Sequence, residues 1–246
     1  MISMGEYLIH VLDQRVQLYQ PAEGFRTSLD SVMLAAACPV RDGQSVLDLG
    51  CGVGSAGLCV MVRVTNISLS GADIQGDHIA LAEKNAAANG VQARCRFLCA
   101  DVRDLDLDAH DHVICNPPYL DSGAHTPSPR DAKALAMGHQ DAELSLQDWV
   151  DCAFRHIKGR GSLTMIHEAG RVDEIILALG KRFGATEIIP LWPRAGVPAK
   201  RVIVRSWKHR KSPATIHPGL VLHETDSAYT PAAESVLRNA RALFLL

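Results

Sequence analysis

The chain of 246 residues carries a formal charge of −2 and is 47% apolar. That composition can bury the core of one large domain, and it excludes a generally basic nucleic-acid coat while leaving room for a local patch. The seven cysteines form no C-x-x-C pair, which argues against zinc or a disulfide framework. Cys38, Cys51, Cys59, Cys99 and Cys115 lie in apolar surroundings and read as reduced core thiols. No run approaches a membrane span and the start lacks a signal-peptide core, so the expectation is a soluble intracellular protein with neither membrane nor metal partner.

Loose alternation through Tyr7, Leu8, Val11, Val16, Leu18 and Tyr19 predicts a short hairpin, which Pro21 and Gly24 end. Thr27-Ser28-Leu29-Asp30 offers capping side chains, so a helix should start near Asp30 and stop before Pro39. After Asp42-Gly43 the pattern becomes βαβ. A buried strand over 45–50 runs into Gly50-Cys51-Gly52-Val53-Gly54, and a helix over 55–62 follows. Glycines at alternate positions let the backbone turn sharply and approach a ligand. Gly52-x-Gly54-x-x-Gly57 also fits a dinucleotide fingerprint, so the loop alone does not separate NAD from S-adenosylmethionine. The second strand, 67–72, ends at Asp73, where a carboxylate would grip ribose hydroxyls; a helix-capping role is the alternative.

A helix over 78–88 stops at Asn89-Gly90, and a third strand over 94–99 leads to Asp101-Val102. An acid and an apolar residue at that strand end suit an adenine amino group and its ring. Asp104, Asp106 and Asp108 follow, so a solvated turn acid is the alternative. The fourth strand, read on Val113, Ile114 and Cys115, exits into Asn116-Pro117-Pro118-Tyr119. Two prolines neither continue a ladder nor enter a helix interior, and the first holds Asn116 extended. The result is a rigid polar strand exit at the end of a parallel sheet where ligands sit, or else a plain Pro-Pro turn. The long polar stretch 121–143 is placed to close over a substrate.

A helix over 144–157, a strand over 162–167, a helix over 171–183 and strands over 185–191 and 200–207 come next. Lys200, Arg201, Arg205, Lys208, Arg210 and Lys211 are the clear concentration of cations, suited to RNA phosphates or to a charge-defended edge strand. A strand over 219–223 and a helix opened by Thr230-Pro231 close the chain. The organisation expected is a single domain: a hairpin-like extension (1–29), a core (30–211), and a strand and helix packed on it (212–246).

In this order and spacing, Asp48-x-Gly50-x-Gly52-x-Gly54, Asp73, Asp101 and Asn116-Pro117-Pro118-Tyr119 resemble the class I methyltransferases that use S-adenosylmethionine. The tetrapeptide is similar to that of amino methyltransferases acting on adenine N6, guanine N2 or a glutamine amide. A dinucleotide dehydrogenase has no reason to place it at the fourth strand. Gly24-Phe25-Arg26-Thr27-Ser28-Leu29-Asp30, Pro190-Leu191-Trp192-Pro193-Arg194, the run from Ala199 to Arg205 and Leu220-Val221-Leu222-His223 are similar to the bacterial family that methylates N6 of adenine 37 in a valine tRNA.

The resemblance implies an α/β, Rossmann-like fold: a seven-stranded, mostly parallel sheet with one antiparallel strand and helices on both faces. It implies S-adenosylmethionine as cofactor and tRNA as substrate. Asp48, Gly50, Gly52 and Gly54 would shape the cofactor loop, Asp73 hold ribose, Asp101 and Val102 hold adenine, and Arg26 and Thr27 cap the site. Asn116, also against the cofactor, and Pro117 would accept hydrogen bonds from the target amine while Tyr119 stacks on the extruded base. An aromatic amine shares its lone pair with its ring, and acceptors aimed at both N–H groups favour a pyramidal, nucleophilic nitrogen. Positioning and electrostatics then suffice without a strong general base. Glutamine methylation is the main rival, although such enzymes usually carry a helical domain ahead of the glycine loop. A non-catalytic cofactor-binding subunit is the other.

Overall fold

The computed structural model describes residues 5–22, 27–118 and 144–243. Strands β1 (Glu6–Val11) and β2 (Val16–Pro21) form the expected antiparallel hairpin, with Val11 opposite Val16. The fully buried Asn85 holds it in place: its Oδ1 accepts from Tyr19 N at 2.7 Å, and its Nδ2 donates to Tyr19 O and to Val53 O in the glycine loop. One side chain thus joins the extension to the loop.

Helix α1 (Leu29–Ala37) begins where its capping residues predict, with Ser28 accepting from Asp30 N. Then follow β3 (Ser45–Leu49), α2 (Ser55–Arg63), β4 (Ser68–Asp73), α3 (Gly76–Ala88), β5 (Cys95–Cys99) and β6 (His110–Cys115). The second half holds α4 (Leu146–His156), β7 (Ile157–Glu168), α5 (Val172–Leu179), β8 (Phe183–Trp192), β9 (Arg201–Lys208), β10 (Thr215–Ile216), β11 (Leu220–Val221) and α6 (Pro231–Leu237). The expected helix over 171–183 is shorter, because Gly180 adopts φ +55° and ends it.

The sheet runs β10-β8-β9-β7-β6-β3-β4-β5, with β11 also on β8. Strands β3 to β7 are parallel, and β9 alone runs against its neighbours β7 and β8. The sheet therefore has nine strands, not seven: β10 and β11, two residues each, pair with β8. They cover backbone groups that β8 would otherwise expose, and segments so short have no readable periodicity. One core packs beneath α1, α2, the hairpin and α6, the other beneath α4 and α5, so helices lie on both faces. Burial on both faces explains the continuous apolar runs of β3 and β6. Cys99 departs from expectation: it is exposed, because β5 is an edge strand.

β3 lies between β4 and β6, the place where the winding reverses and where parallel sheets bind ligands. The carboxyl ends of β3, β4, β5 and β6 share one rim. Because β9 is antiparallel, its start joins that rim while Lys208 lies at the far end, roughly 25 Å away at about 3.3 Å per residue.

Candidate active site

Gly50, Gly52 and Gly54 follow β3 with φ of +68°, +52° and +84°, a left-handed region that costs other residues about 1–2 kcal/mol. A Cβ on Gly50 would lie 2.7 Å from Cη2 of Trp149, whereas one on Gly52 would meet nothing within 4 Å. Gly54 precedes α2 without a side-chain cap, and of the first-turn amides Gly57 N–H is taken by Asp48, which leaves those of Ser55 and Ala56 to meet an anion.

Asp48, 2% exposed, accepts from Gly57 N at 3.0 Å. Burial pushes its carboxyl up to about 7, against the Gly57 N–H and with repulsion from Asp73. At roughly 1.36 kcal/mol per pKa unit, ionising it in the folded state costs on the order of 4 kcal/mol. Since the folded value lies above the unfolded one, its stabilising contribution is complete below about pH 4 and is lost as pH rises through about 7. Asp48→Asn should therefore raise the apoprotein's thermal midpoint more at pH 8 than at pH 5. A pH-independent shift in the melting curves would contradict this account.

Asp73, at the end of β4, accepts from Gly52 N and Gln75 N at 2.9 Å each, with His78 Nδ1 at 3.7 Å. Burial alone would raise its pKa, but the nearby His78 and the hydrogen bonds from Gln75 and Gly52 hold it below the usual range. Gln75, not Asp73, is the N-cap of α3. Thr27 is tied to the first turn of α2 by a hydroxyl–hydroxyl hydrogen bond with Ser55, and to β2 through Gln20.

These elements surround a cavity of about 480 Å³. Thr27, Asp48, Gly50, Gly52 and Asp73 line it, with Asp101 and Val102 at the β5 end and Asn116 and Pro117 at the β6 end. Register pairs Leu49 with Cys115, which sets Asn116 beside Gly50 at the rim. Gly54 is outside the lining and packs against Ala82, Leu58 and Phe97 instead. Arg26, Tyr119 and the stretch 121–143 lie outside the described residues.

The lining also contains Ile74, Gln75, His78 and Trp149, which the sequence reading did not assign. Ile74 left a signal: it is apolar and 57% exposed, and Asp73-Ile74 repeats the acid–apolar pair Asp101-Val102 at the next strand end. Trp149 left none, because its spacing is that of an ordinary core residue of α4.

Three of the cations singled out from sequence are engaged internally. Arg205 is buried, ion-paired with Glu187, and donates to Ala37 O. Arg201 pairs with Asp30, and Lys208 Nζ donates to the carbonyls of Phe154 and Ile157 at 2.7 Å each. Lys200, Arg210 and Lys211 are exposed, but Lys200 stands at the ligand rim and the other two beyond the opposite end of β9. The expected single phosphate-binding patch is thus corrected: strand alternation turns Arg201 and Arg205 under α1, and strand length separates the rest. Among the described residues, no His, Cys, Asp or Glu cluster is suited to a metal ion and no helix is long and apolar enough to cross a membrane.

The lining fits S-adenosylmethionine. The space over Gly52 and the uncapped start of α2 suit an amino-acid carboxylate, Asp73 a ribose diol, and Ile74 with Val102 a purine. The fold is that of the class I S-adenosylmethionine-dependent methyltransferases, and the lining suits their cofactor. Residues 27–131 match the methyltransferase small domain family. A Tolumonas auensis protein named "tRNA1(Val) (adenine(37)-N6)-methyltransferase" is 28% identical over 211 residues, 84% of this chain and 85% of that one. Among solved structures, a predicted O-methyltransferase of Agrobacterium tumefaciens superposes with TM-score 0.71 at 29% identity, over 87% of this chain and 98% of that chain. A 16S rRNA methyltransferase (RsmC) of T. thermophilus, solved with AdoMet and guanosine, shares the fold at TM-score 0.58 and 17% identity, over 83% of this chain and 50% of that chain.

Proposed function

We propose that this methyltransferase acts on N6 of an adenine in tRNA. The observation that carries the reading is the placement of Asn116 and Pro117 in the cofactor cavity, beside Gly50 and on the strand next to the glycine loop. The names of relatives spanning most of the chain support the choice of substrate.

When bound, S-adenosylmethionine supplies an electrophilic methyl group on a sulfonium centre. The chain's own part is to position the acceptor. The Asn116 side-chain oxygen and the Pro117 carbonyl accept the two N–H groups of the amine, and the proline pair keeps both acceptors from turning away. Asp73 holds the ribose, Asp101 and Val102 the adenine of the cofactor, and Thr27 with Arg26 closes the mouth. Tyr119 stacks on the extruded base. Incubation with labelled S-adenosylmethionine and tRNA from a strain lacking the protein should yield labelled N6-methyladenosine by mass-spectrometric nucleoside analysis. Labelled N2-methylguanosine would replace the adenine target, and label in protein instead of nucleosides would replace the RNA.

Of the exposed cations, Lys200 at the rim is the one placed to meet phosphate, with Arg194 in the preceding connection. Lys200→Ala with Arg194→Ala should lower the slope of log affinity for tRNA against log salt by about 1 to 2. Arg210→Ala with Lys211→Ala should leave it unchanged, and the reverse pattern would place the RNA at the other end of the sheet.

A further inference from the structure

Asp101 is gripped by an arginine two residues away. Arg103 N donates to Asp101 Oδ1 at 2.8 Å, Nε reaches Oδ1 at 3.0 Å and Oδ2 at 3.2 Å, and Nη2 donates to Oδ2 at 2.6 Å. A carboxylate offers about four acceptor directions, two on each oxygen. The backbone amide and the shorter Nε contact occupy those of Oδ1, and Nη2 takes one on Oδ2. The longer, shared Nε contact adds only weakly there, so one acceptor direction of Oδ2 is left without a strong donor. From the other side, Arg155 of α4 donates Nη2 to Val102 O at 3.1 Å and to Arg103 O at 3.2 Å. One guanidinium fixes the carboxylate and a second fixes the backbone that carries it. An ion pair this exposed adds little to stability, but a two-pronged fork gives a carboxylate a definite orientation.

We propose that Arg103 is a positioning residue that locks Asp101 so that its remaining Oδ2 acceptor reads the purine amino group, selecting the adenosyl cofactor over its deaminated, inosyl counterpart; the proposal rests on the S-adenosylmethionine reading of the cavity. Adenine presents an N–H donor at C6, whereas hypoxanthine presents a carbonyl there and an N–H at N1. A locked oxygen aimed at C6 meets the adenine amine as an acceptor and the hypoxanthine carbonyl as a repelling partner. A carboxylate released from its fork can turn toward the N1 proton. Removing Arg103 therefore lowers discrimination as well as affinity, which a purely structural ion pair would not do.

The test is calorimetric titration of the full chain with S-adenosylhomocysteine and with S-inosylhomocysteine. Wild type should prefer the adenosyl ligand by about tenfold or more, the scale of one well-made hydrogen bond against a mismatched one. Arg103→Ala should reduce that preference to within about threefold, and Arg103→Lys, which keeps the charge without the fork, should do the same. Arg155→Ala should weaken both ligands while retaining the preference. An unchanged preference in Arg103→Ala or Arg103→Lys would overturn the role of Arg103 and leave the cofactor reading standing. Wild-type protein that binds neither ligand would remove the cofactor reading, and the proposal with it.

Discussion

Asn116→Ala should lower the rate of methyl transfer by about a thousandfold or more, while the dissociation constant for S-adenosylhomocysteine should stay within about threefold of wild type. The asymmetry follows from where Asn116 sits. It emerges from β6, whose last residue, Cys115, is fully buried, and it faces the cavity beside the glycine loop. Much of the cofactor-facing surface, including Asp73, Gly52 and the start of α2, belongs to other elements and remains intact. On the proposed mechanism, what disappears is one of two acceptors for the amine, and with it the preference for a pyramidal nitrogen. Loss of a transition-state contact lowers kcat and kcat/KM together. Asn116→Asp keeps an acceptor oxygen but brings a charge to the cofactor, and should retain more transfer than alanine at pH values where the new carboxyl is neutral. Single-turnover assays alongside calorimetry separate the two quantities. Turnover of Asn116→Ala within tenfold of wild type would refute this role.

The features that proved legible in the sequence are those set by local constraint. Alternate glycines, a proline pair and an acid at a strand end restrict the backbone within a few residues, so their positions in the fold follow from topology alone. The helix start near Asp30, capped by Ser28, was legible for the same reason, whereas the antiparallel strand was expected from the resemblance to class I methyltransferases. What escaped depends on residues far apart in sequence. Trp149 reaches the cavity because α4 packs under Gly50, and Asn85 is a coupling residue because two distant backbones converge on it. The cations of β9 form a cluster only along the chain. Folded, Arg201 and Arg205 share the face of Ile203 toward α1, and their charges meet Asp30, Glu187 and Ala37 O. The period of two already separates that face from the one bearing Val202 and Val204, so the placement of Arg201 and Arg205 on one face is legible in the strand's alternation.

Gly50→Ala should cost about 2–5 kcal/mol of stability, from a left-handed backbone (about 1–2 kcal/mol) and overpacking (about 1–3 kcal/mol). Both causes are present at this position, with φ +68° and Trp149 Cη2 2.7 Å from the added Cβ. The Trp149 ring cannot swing freely aside, because it is 5% exposed and packed in the core beneath α4. Gly52→Ala has the backbone penalty without the collision, so it should destabilise by only about 1–2 kcal/mol. It lines the cavity, however, and its added methyl should still weaken S-adenosylhomocysteine binding. A double-mutant cycle isolates the steric part: Gly50→Ala combined with Trp149→Leu should be less destabilised than the two single changes summed, by about 1 kcal/mol or more. Denaturant unfolding of the four proteins measures that coupling. Additive effects would mean that the loop and α4 do not press on each other, and the cavity would lose the wall that sets its shape.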